Sequence, residues 1–329
     1  MATFPGSAPS FATLVDLVDS VLASHQNTPN GEIVAIANFI LNSMLRQGQL
    51  INGKFTRTVS SNNLTVAIKA ADGTDPSSTN PVYVMIGGTI RTITAALSVT
   101  VNAGAASGAG TFNLGAVEFA TIEQDVFVYL GWKASSSAVF VGISRIPYGR
   151  VYSDFSATAA NEKYIAVSST PASTDEVENI GRFNITNSGT ASYNWSVPAT
   201  DVTINRRIEE TRWLTWAPVY SASGSLTYTS VSTTWAKYKL RGNATLEWTL
   251  RASGTLGGTA STQLFSTGPF ESSQVANNPV CGVGNTATVS AKVFMSGGTP
   301  DLITWSKYDT SNYATSGSNT INGEGFYET

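Results

Sequence analysis

The hydrophobic period of this chain changes once, and that change restricts its fold more than any single motif. Up to about residue 47 apolar side chains recur every three or four positions, whereas from Lys54 they recur at every second one. The first spacing suits one face of a helix and the second a half-buried strand. Residues 10–24 start at Ser10, a plausible N-cap, and carry Phe11, Leu14, Val15, Leu17, Val18, Val21 and Leu22 as an amphipathic stripe. Pro29-Asn30-Gly31 breaks that pattern. A second helix is predicted over about 32–47, where Ile33, Ala37, Ile40 and Met44 follow a coiled-coil-like spacing that Ile36 and Leu41 widen. Such a stripe either joins copies of the chain or packs on the first helix.

The remainder reads as strand. Leu64, Val66, Ile68 and Ala70 alternate with Thr65, Ala67 and Lys69, and Asp72-Gly73 with Pro76 and Pro81 marks a long turn. Further strands are expected at 82–86, 89–94, 97–102, 111–120, 125–133 and 138–146, with a Gly/Ala/Ser loop at 104–110. Shorter ones are expected at 164–168, 181–186 and 191–197. In the last third, Leu246, Trp248 and Leu250 oppose Glu247, Thr249 and Arg251, and Ala291, Val293 and Met295 oppose Ser290 and Lys292. Turns are expected at 253–258, 268–269 and 297–300. The fold class is therefore mainly β. A short N-terminal α-helical segment (1–48) precedes two or three antiparallel β-sandwich or jelly-roll-like modules. Their expected bounds are 49–147, 148–212 (a small module or neck) and 213–329.

Composition narrows the chemistry. Charged residues make up 12% of the chain and the net charge is -3, with no basic cluster beyond Arg206-Arg207, so no nucleic-acid partner is expected. No run of 18 apolar residues appears, so no membrane insertion is expected. The N-terminus lacks a basic n-region and carries Asp16 and Asp19 where an apolar h-region would lie, which predicts assembly without Sec export. The single cysteine, Cys281, reads as a small buried hydrophobe. His25 is the only histidine and falls at a helix end, which argues against a Ser-His-Asp triad or a His-rich zinc site in the body. Asp175, Glu176 and Glu178, or Glu209 and Glu210, supply paired carboxylates, but their setting beside turns and Arg206, Arg207 and Arg212 reads as solvated faces or intersubunit ion pairs. Asp72 and Asp75 lack the ligand spacing of an EF-hand loop and read as an ordinary turn. No phosphate-binding glycine motif is present. The expectation is no catalytic residue, no metal and no cofactor.

Aromatic side chains remain as contact candidates. Trp213, Trp216, Trp235, Trp248 and Trp305 all fall in the last third. Trp248 alternates with leucines and reads as core. Trp235 shares a strand face with Lys237 and Lys239, opposite Ala236, Tyr238 and Leu240, and the loop from Trp305 through Tyr308 to Tyr313 forms a second candidate.

The opening Phe4-Pro5-Gly6-Ser7-Ala8-Pro9-Ser10-Phe11, then 18–27 and 31–36, resembles the N-terminal segment of tailed-bacteriophage fibre and appendage proteins. The runs 215–228 and 235–240 and the ending Gly325-Phe326-Tyr327-Glu328 are similar to the tips of such proteins. The resemblance implies a virion structural protein made in the host cytoplasm, generally a homotrimer. Its N-terminus would dock on other virion proteins, and its C-terminal domain would bind a host surface glycan or protein. In that picture Phe4, Pro5, Phe11, Leu14, Val18, Ile33, Ala37, Ile40 and Met44 serve docking and trimerisation. Trp235, Lys237, Lys239, Trp305, Tyr308 and Tyr313 are receptor-contact candidates. The long shaft of the family is missing, which leaves a short tail fibre as the leading expectation. A capsid decoration or baseplate protein with a purely structural role is the alternative. A carboxylate-dependent polysaccharide depolymerase is a distant third, and the family carries no catalytic residue onto this chain.

Overall fold

Alternation along Leu64, Val66, Ile68 and Ala70 becomes a fully buried row, each at 0% exposure. The computed structural model describes residues 47–103, 123–147, 164–169, 175–188, 194–198, 202–242, 244–269, 280–286, 289–296, 299–315 and 318–328. The chain divides into two units, 1–46 and 47–329. Both predicted helices, with Phe4, Pro5, Phe11, Leu14, Val18, Ile33, Ala37, Ile40 and Met44, lie outside the described residues, as does the expected strand at 111–120. Gln47, at the expected end of the second helix, instead forms a parallel bridge to Met85. Every regular element among the described residues is a strand, so the second unit is mainly β, built from several antiparallel sheets.

Six strands come first: β1 (Leu50–Ile51), β2 (Gly53–Ser60), β3 (Asn63–Ala70), β4 (Val82–Ile86), β5 (Thr89–Ile93) and β6 (Leu97–Val101). They form two three-stranded sheets, β1-β4-β5 and β2-β3-β6. Two-residue turns set the hairpin registers. Gly87 and Gly88 join β4 to β5 with positive φ, and Ser61 and Asn62 do the same between β2 and β3. Positive φ at both central residues matches the right-handed strand twist.

β7 (Glu123–Lys133), β8 (Ala138–Ser144), β9 (Tyr164–Val167), β10 (Glu176–Ser188), β11 (Asn194–Ser196) and β12 (Thr203–Ile204) follow. Their sheet has the order β11-β10-β7-β8-β9, with β12 also on β10. The near-continuous apolar run of β7 is buried on both faces. Val126, Val128 and Leu130 join the main core, while Phe127 and Tyr129 pack with Phe140 and Val177 on the other side. This sheet crosses the boundary expected near residue 147, because β10 pairs with β7 from Glu176↔Trp132 to Thr186↔Glu123. The expected neck 148–212 thus contributes strands to the sheet of its predecessor. The earlier sheets bind to it through polar and aromatic contacts. The Phe55 amide donates to Asn205 Oδ1 at 2.7 Å, and Arg57 donates to the Asn184 carbonyl at 2.6 Å. The Arg91 guanidinium lies 3.8 Å from the Trp132 ring centroid.

The last strands are β13 (Leu214–Thr215), β14 (Tyr220–Ala222), β15 (Leu226–Leu240), β16 (Thr245–Gly258), β17 (Gln263–Thr267), β18 (Val280–Thr286), β19 (Val289–Ser296), β20 (Thr299–Lys307) and β21 (Ser318–Glu328). They form one nine-stranded sheet, β13-β15-β16-β21-β18-β19-β20-β17-β14. The turn expected at 253–258 is absent: β16 runs through it, paired with β15 as far as Leu226↔Gly258. Gly254 permits that passage, since a Cβ there would stand 2.6 Å from the Ser230 carbonyl oxygen. The sheet curls until its halves meet inside, with Trp248 of β16 edge-on to Trp305 of β20 at 5.7 Å. Such a pair contributes roughly 0.5–1.5 kcal/mol beyond its buried area.

The two end strands of that sheet are consecutive in the chain, so 214–222 acts as its seam. Trp216 is 1% exposed; its amide donates to the Ala236 carbonyl of β15 at 3.1 Å, and its Nε1 donates to the Thr267 carbonyl of β17 at 3.1 Å. Val219 and Thr267 exchange two further bonds, and Tyr220 Oη meets Thr233 Oγ1 of β15 at 2.8 Å. Burial pushes the Tyr220 hydroxyl up to about 12, against the opposing effect of that Thr233 bond. Trp216→Ala is expected to lower unfolding stability by about 3–5 kcal/mol, the usual cost of deleting a buried tryptophan. Urea denaturation checks this; a midpoint equal to the wild type would show that the seam is dispensable.

A buried ion cluster joins the six- and nine-stranded sheets. The Asp125 side chain on β7 is 1% exposed. It accepts bonds from Arg182 Nη1 (3.0 Å), the Arg212 amide (2.9 Å), Arg212 Nε (3.0 Å) and Arg212 Nη2 (2.7 Å). Glu123 Oε1 takes Arg212 Nη2 and Asn184 Nδ2, each at 2.6 Å. Burial disfavours the charge on Arg212, but the bonds to Asp125 and Glu123 outweigh it and raise its pKa above the ordinary guanidinium value. Asp125→Ala should cost about 3–5 kcal/mol, because it leaves the buried Arg182 guanidinium without its ion-pair partner and Arg212 with Glu123 alone. Thermal and urea unfolding of the variant measure that loss, and a change below about 1 kcal/mol would contradict the assignment.

Candidate functional site

Alternation in β15 separates two kinds of surface. Ala236, Tyr238 and Leu240 are buried, while Trp235 and Lys239 are half-buried and Lys237 is exposed on the opposite face. Register carries this outer face across neighbouring strands. Trp235 stands beside Arg251 and then Asn322, Lys237 beside Thr249 and then Glu324, and Lys239 beside Glu247 and then Phe326. On the other side, Thr215 of β13 pairs with Lys237. Trp213 immediately precedes that ladder and, like Thr215, is exposed while Leu214 between them is buried. Two rings are thus presented to solvent, Trp213 at 50% and Phe326 at 65% exposure, separated by three strand spacings. At about 4.8 Å per spacing the face is roughly 14 Å wide.

Charges on this face fall into two groups. Lys239 donates to Glu210 at 2.9 Å, and Arg241 Nε meets Glu247 at 2.7 Å, so those four groups neutralise one another. Among the described residues, no ion pair engages Lys237 or Arg251. The Arg251 guanidinium carbon lies 5.3 Å from the Trp235 ring centroid, and Trp235 Nε1 donates to Thr249 Oγ1 at 3.3 Å. A half-buried indole, held at its edge and flanked by two cations, is the outcome. Flat aromatic surfaces of this type stack on sugar rings and anchor protein contacts.

Two of the expected contact residues belong elsewhere. Trp305 is 0% exposed and donates to Ser266 Oγ at 3.1 Å, as befits its packing on Trp248. Tyr313 is also 0% exposed, and its hydroxyl donates to the Trp305 carbonyl at 3.2 Å. Both are core residues and cannot meet a receptor from this fold; the loop assignment failed because its aromatic rings turn inward to close the curled sheet. Tyr308 is 61% exposed but follows β20, which β21, β18 and β19 separate from β16 in the sheet order. Trp235, Lys237 and Lys239 do share one face, with Lys239 committed to Glu210. Sequence reasoning missed Arg251, Trp213 and Phe326 as members of it. Only the alternation of 245–251 signalled that Arg251 points away from the core.

Glu176, Glu209 and Glu210 are exposed, as a solvated face requires, and Glu178, Glu209 and Glu210 also pair with cations of the same chain. Arg207 meets Glu209 at 2.7 Å and Glu178 at 3.7 Å. Asp175 is 2% exposed and accepts from the Ala134 amide at 3.2 Å. Asp72 behaves as a turn residue: its Oδ1 accepts from the Thr74 amide and hydroxyl, which hold its carboxyl below the usual 3.8. Asp75 pairs with Lys69 at 2.7 Å. No group of three or more His, Cys, Asp or Glu that could hold a metal occurs among the described residues. No helix among them is long and apolar enough to cross a membrane. Neither a protein-family model nor a curated protein matches the chain significantly.

Glu210 gives the site a pH signature. The hydrogen bond from Lys239, aided by that charge, holds its carboxyl below the usual 4.5. A carboxyl depressed in the folded state contributes stability above its unfolded value, and that contribution fades as pH falls through the folded value. The acid limb of the stability profile below pH 4.5 should therefore be shallower in Glu210→Gln than in the wild type. Identical limbs in urea titrations across that range would contradict the coupling.

Proposed function

We propose that this chain is a non-enzymatic structural protein of a bacteriophage virion, a short homotrimeric tail fibre. In this reading 1–48 docks on other virion proteins and trimerises, 49–212 spaces, and 213–329 is a closed, sandwich-like tip that touches the host surface. The observation that carries the reading is the outer face with Trp213, Trp235 and Phe326 around Lys237. A solvent-facing aromatic cluster on a rigid sheet suits recognition better than catalysis. The phage-like opening at 4–36 supports attachment through the front end. The low charge content, 12%, supports sheets that shield one another in an oligomer.

Light scattering of the purified chain should give about three times its 34.6 kDa mass. In an adsorption assay, the trimer should bind cells of the host strain, and Trp213→Ala with Phe326→Ala should weaken binding about tenfold or more without changing the oligomer. A stable monomer would remove the fibre reading. A trimer that never binds host cells would leave the capsid-decoration or baseplate role in its place.

A further inference from the structure

Among the charges of the outer face, two stand apart from the local cancellation. Lys237 is exposed on β15 and Arg251 is exposed on β16, one step away along the diagonal of the antiparallel ladder. Diagonal neighbours of this kind lie about 7–8 Å apart at Cα, within reach of two long side chains converging on one small group. Trp235 lies between them in the strand pattern, two residues before Lys237 and directly opposite Arg251. Thr249 holds its indole edge and completes the polar rim with Thr215. The one acid of that row, Glu324, is exposed beside Thr249 and stands diagonal to Arg251, at the same ladder offset as Lys237 on the other side.

We infer that Trp235, Lys237 and Arg251 form a binding site for a sugar bearing a ring-attached carboxylate, as in an acidic surface polysaccharide. The inference rests on the host-binding reading above and names its ligand class. The Arg251 guanidinium lies over part of the Trp235 ring, 5.3 Å from its centroid, so a sugar laid on the part of the indole it leaves open has its rim beside that guanidinium. A carboxylate attached directly to the sugar ring sits at that rim, where a planar guanidinium donates two parallel bonds. Lys237 supplies the second positive charge from the other side. A phosphodiester lies between sugars instead of on the ring, and so fits a stacked sugar less well. A protein with net charge -3 gathers no anion by its overall field, so a local pair of cations has to supply the attraction.

The test uses the full chain and surface-immobilised oligosaccharides: a panel of hexuronic-acid oligomers, neutral hexose oligomers of the same lengths, and polyphosphate. The expected result is binding to at least one hexuronic-acid oligomer, weakening with added salt, and none to its neutral counterpart or to polyphosphate. Lys237→Ala and Arg251→Ala should each weaken it about tenfold, and Trp235→Ala should do at least as much. Lys292→Ala, which removes an exposed cation on β19 away from that face, should change it less than threefold. Binding to no uronic-acid oligomer, equal binding of neutral oligomers, or indifference to both Lys237→Ala and Arg251→Ala would overturn the inference. Host adsorption separates this failure from that of the wider reading. If Lys237→Ala/Arg251→Ala still adsorbs like the wild type, only the ligand class falls; if the wild type itself never adsorbs, the host-binding role falls as well.

Discussion

The carboxylate of Asp125 is the point on which the second unit depends. It sits in a strand buried on both faces, where an unpaired charge would cost several kcal/mol. Two arginines from different parts of the chain answer it: Arg182 from β10, and Arg212 two residues before β13. Satisfying one buried anion therefore joins the six-stranded sheet to the start of the nine-stranded one. The apolar core follows the same path, a single cluster running from Phe55 through Val128 to Trp248 and Tyr327. Three modules expected from composition and turn signals become one packed unit for this reason.

Closure of the nine-stranded sheet explains how its weakly charged strands avoid open edges. Strand edges usually recruit charge to prevent pairing with other chains. Here 214–222 pairs first with β15 and then with β17, which brings the two ends of the sheet together through Trp216 and Thr267. Two irregularities in β15, between Tyr228 and Ser230 and between Thr233 and Trp235, add local twist along its exposed stretch. The second of them immediately precedes Trp235, and the outer aromatic face begins there.

Alternating segments were the legible part of the fold. Val82–Ile86, Thr89–Ile93 and the inward rows of β16 and β19 lie where a period of two set them, because one-sided burial writes itself directly into sequence. Glycine was misread at 253–258, where small residues serve close approach between strands and make no turn. The loop 305–313 was misread for a related reason. Trp305 and Tyr313 look like exposed recognition residues until the curl of the sheet buries Trp305 against Trp248 and Ser266 and Tyr313 beside Trp305. Half of the candidate site was visible, since Trp235, Lys237 and Lys239 share one strand. Arg251, Trp213 and Phe326 come from three other segments, and no local pattern links them.

The sequence by itself determined that the body is β, which residues of each strand turn inward, and that ionisable chemistry is sparse, since these follow from spacing and composition within a few residues. Only the tertiary structure decided which strands are neighbours, whether each charge is answered within the chain, and which aromatic rings reach solvent. Those outcomes depend on register and on contacts between residues far apart in the chain, such as Asp125 with Arg212 and Trp235 with Arg251. Strand alternation is a property of neighbours in sequence, whereas pairing is a property of neighbours in space.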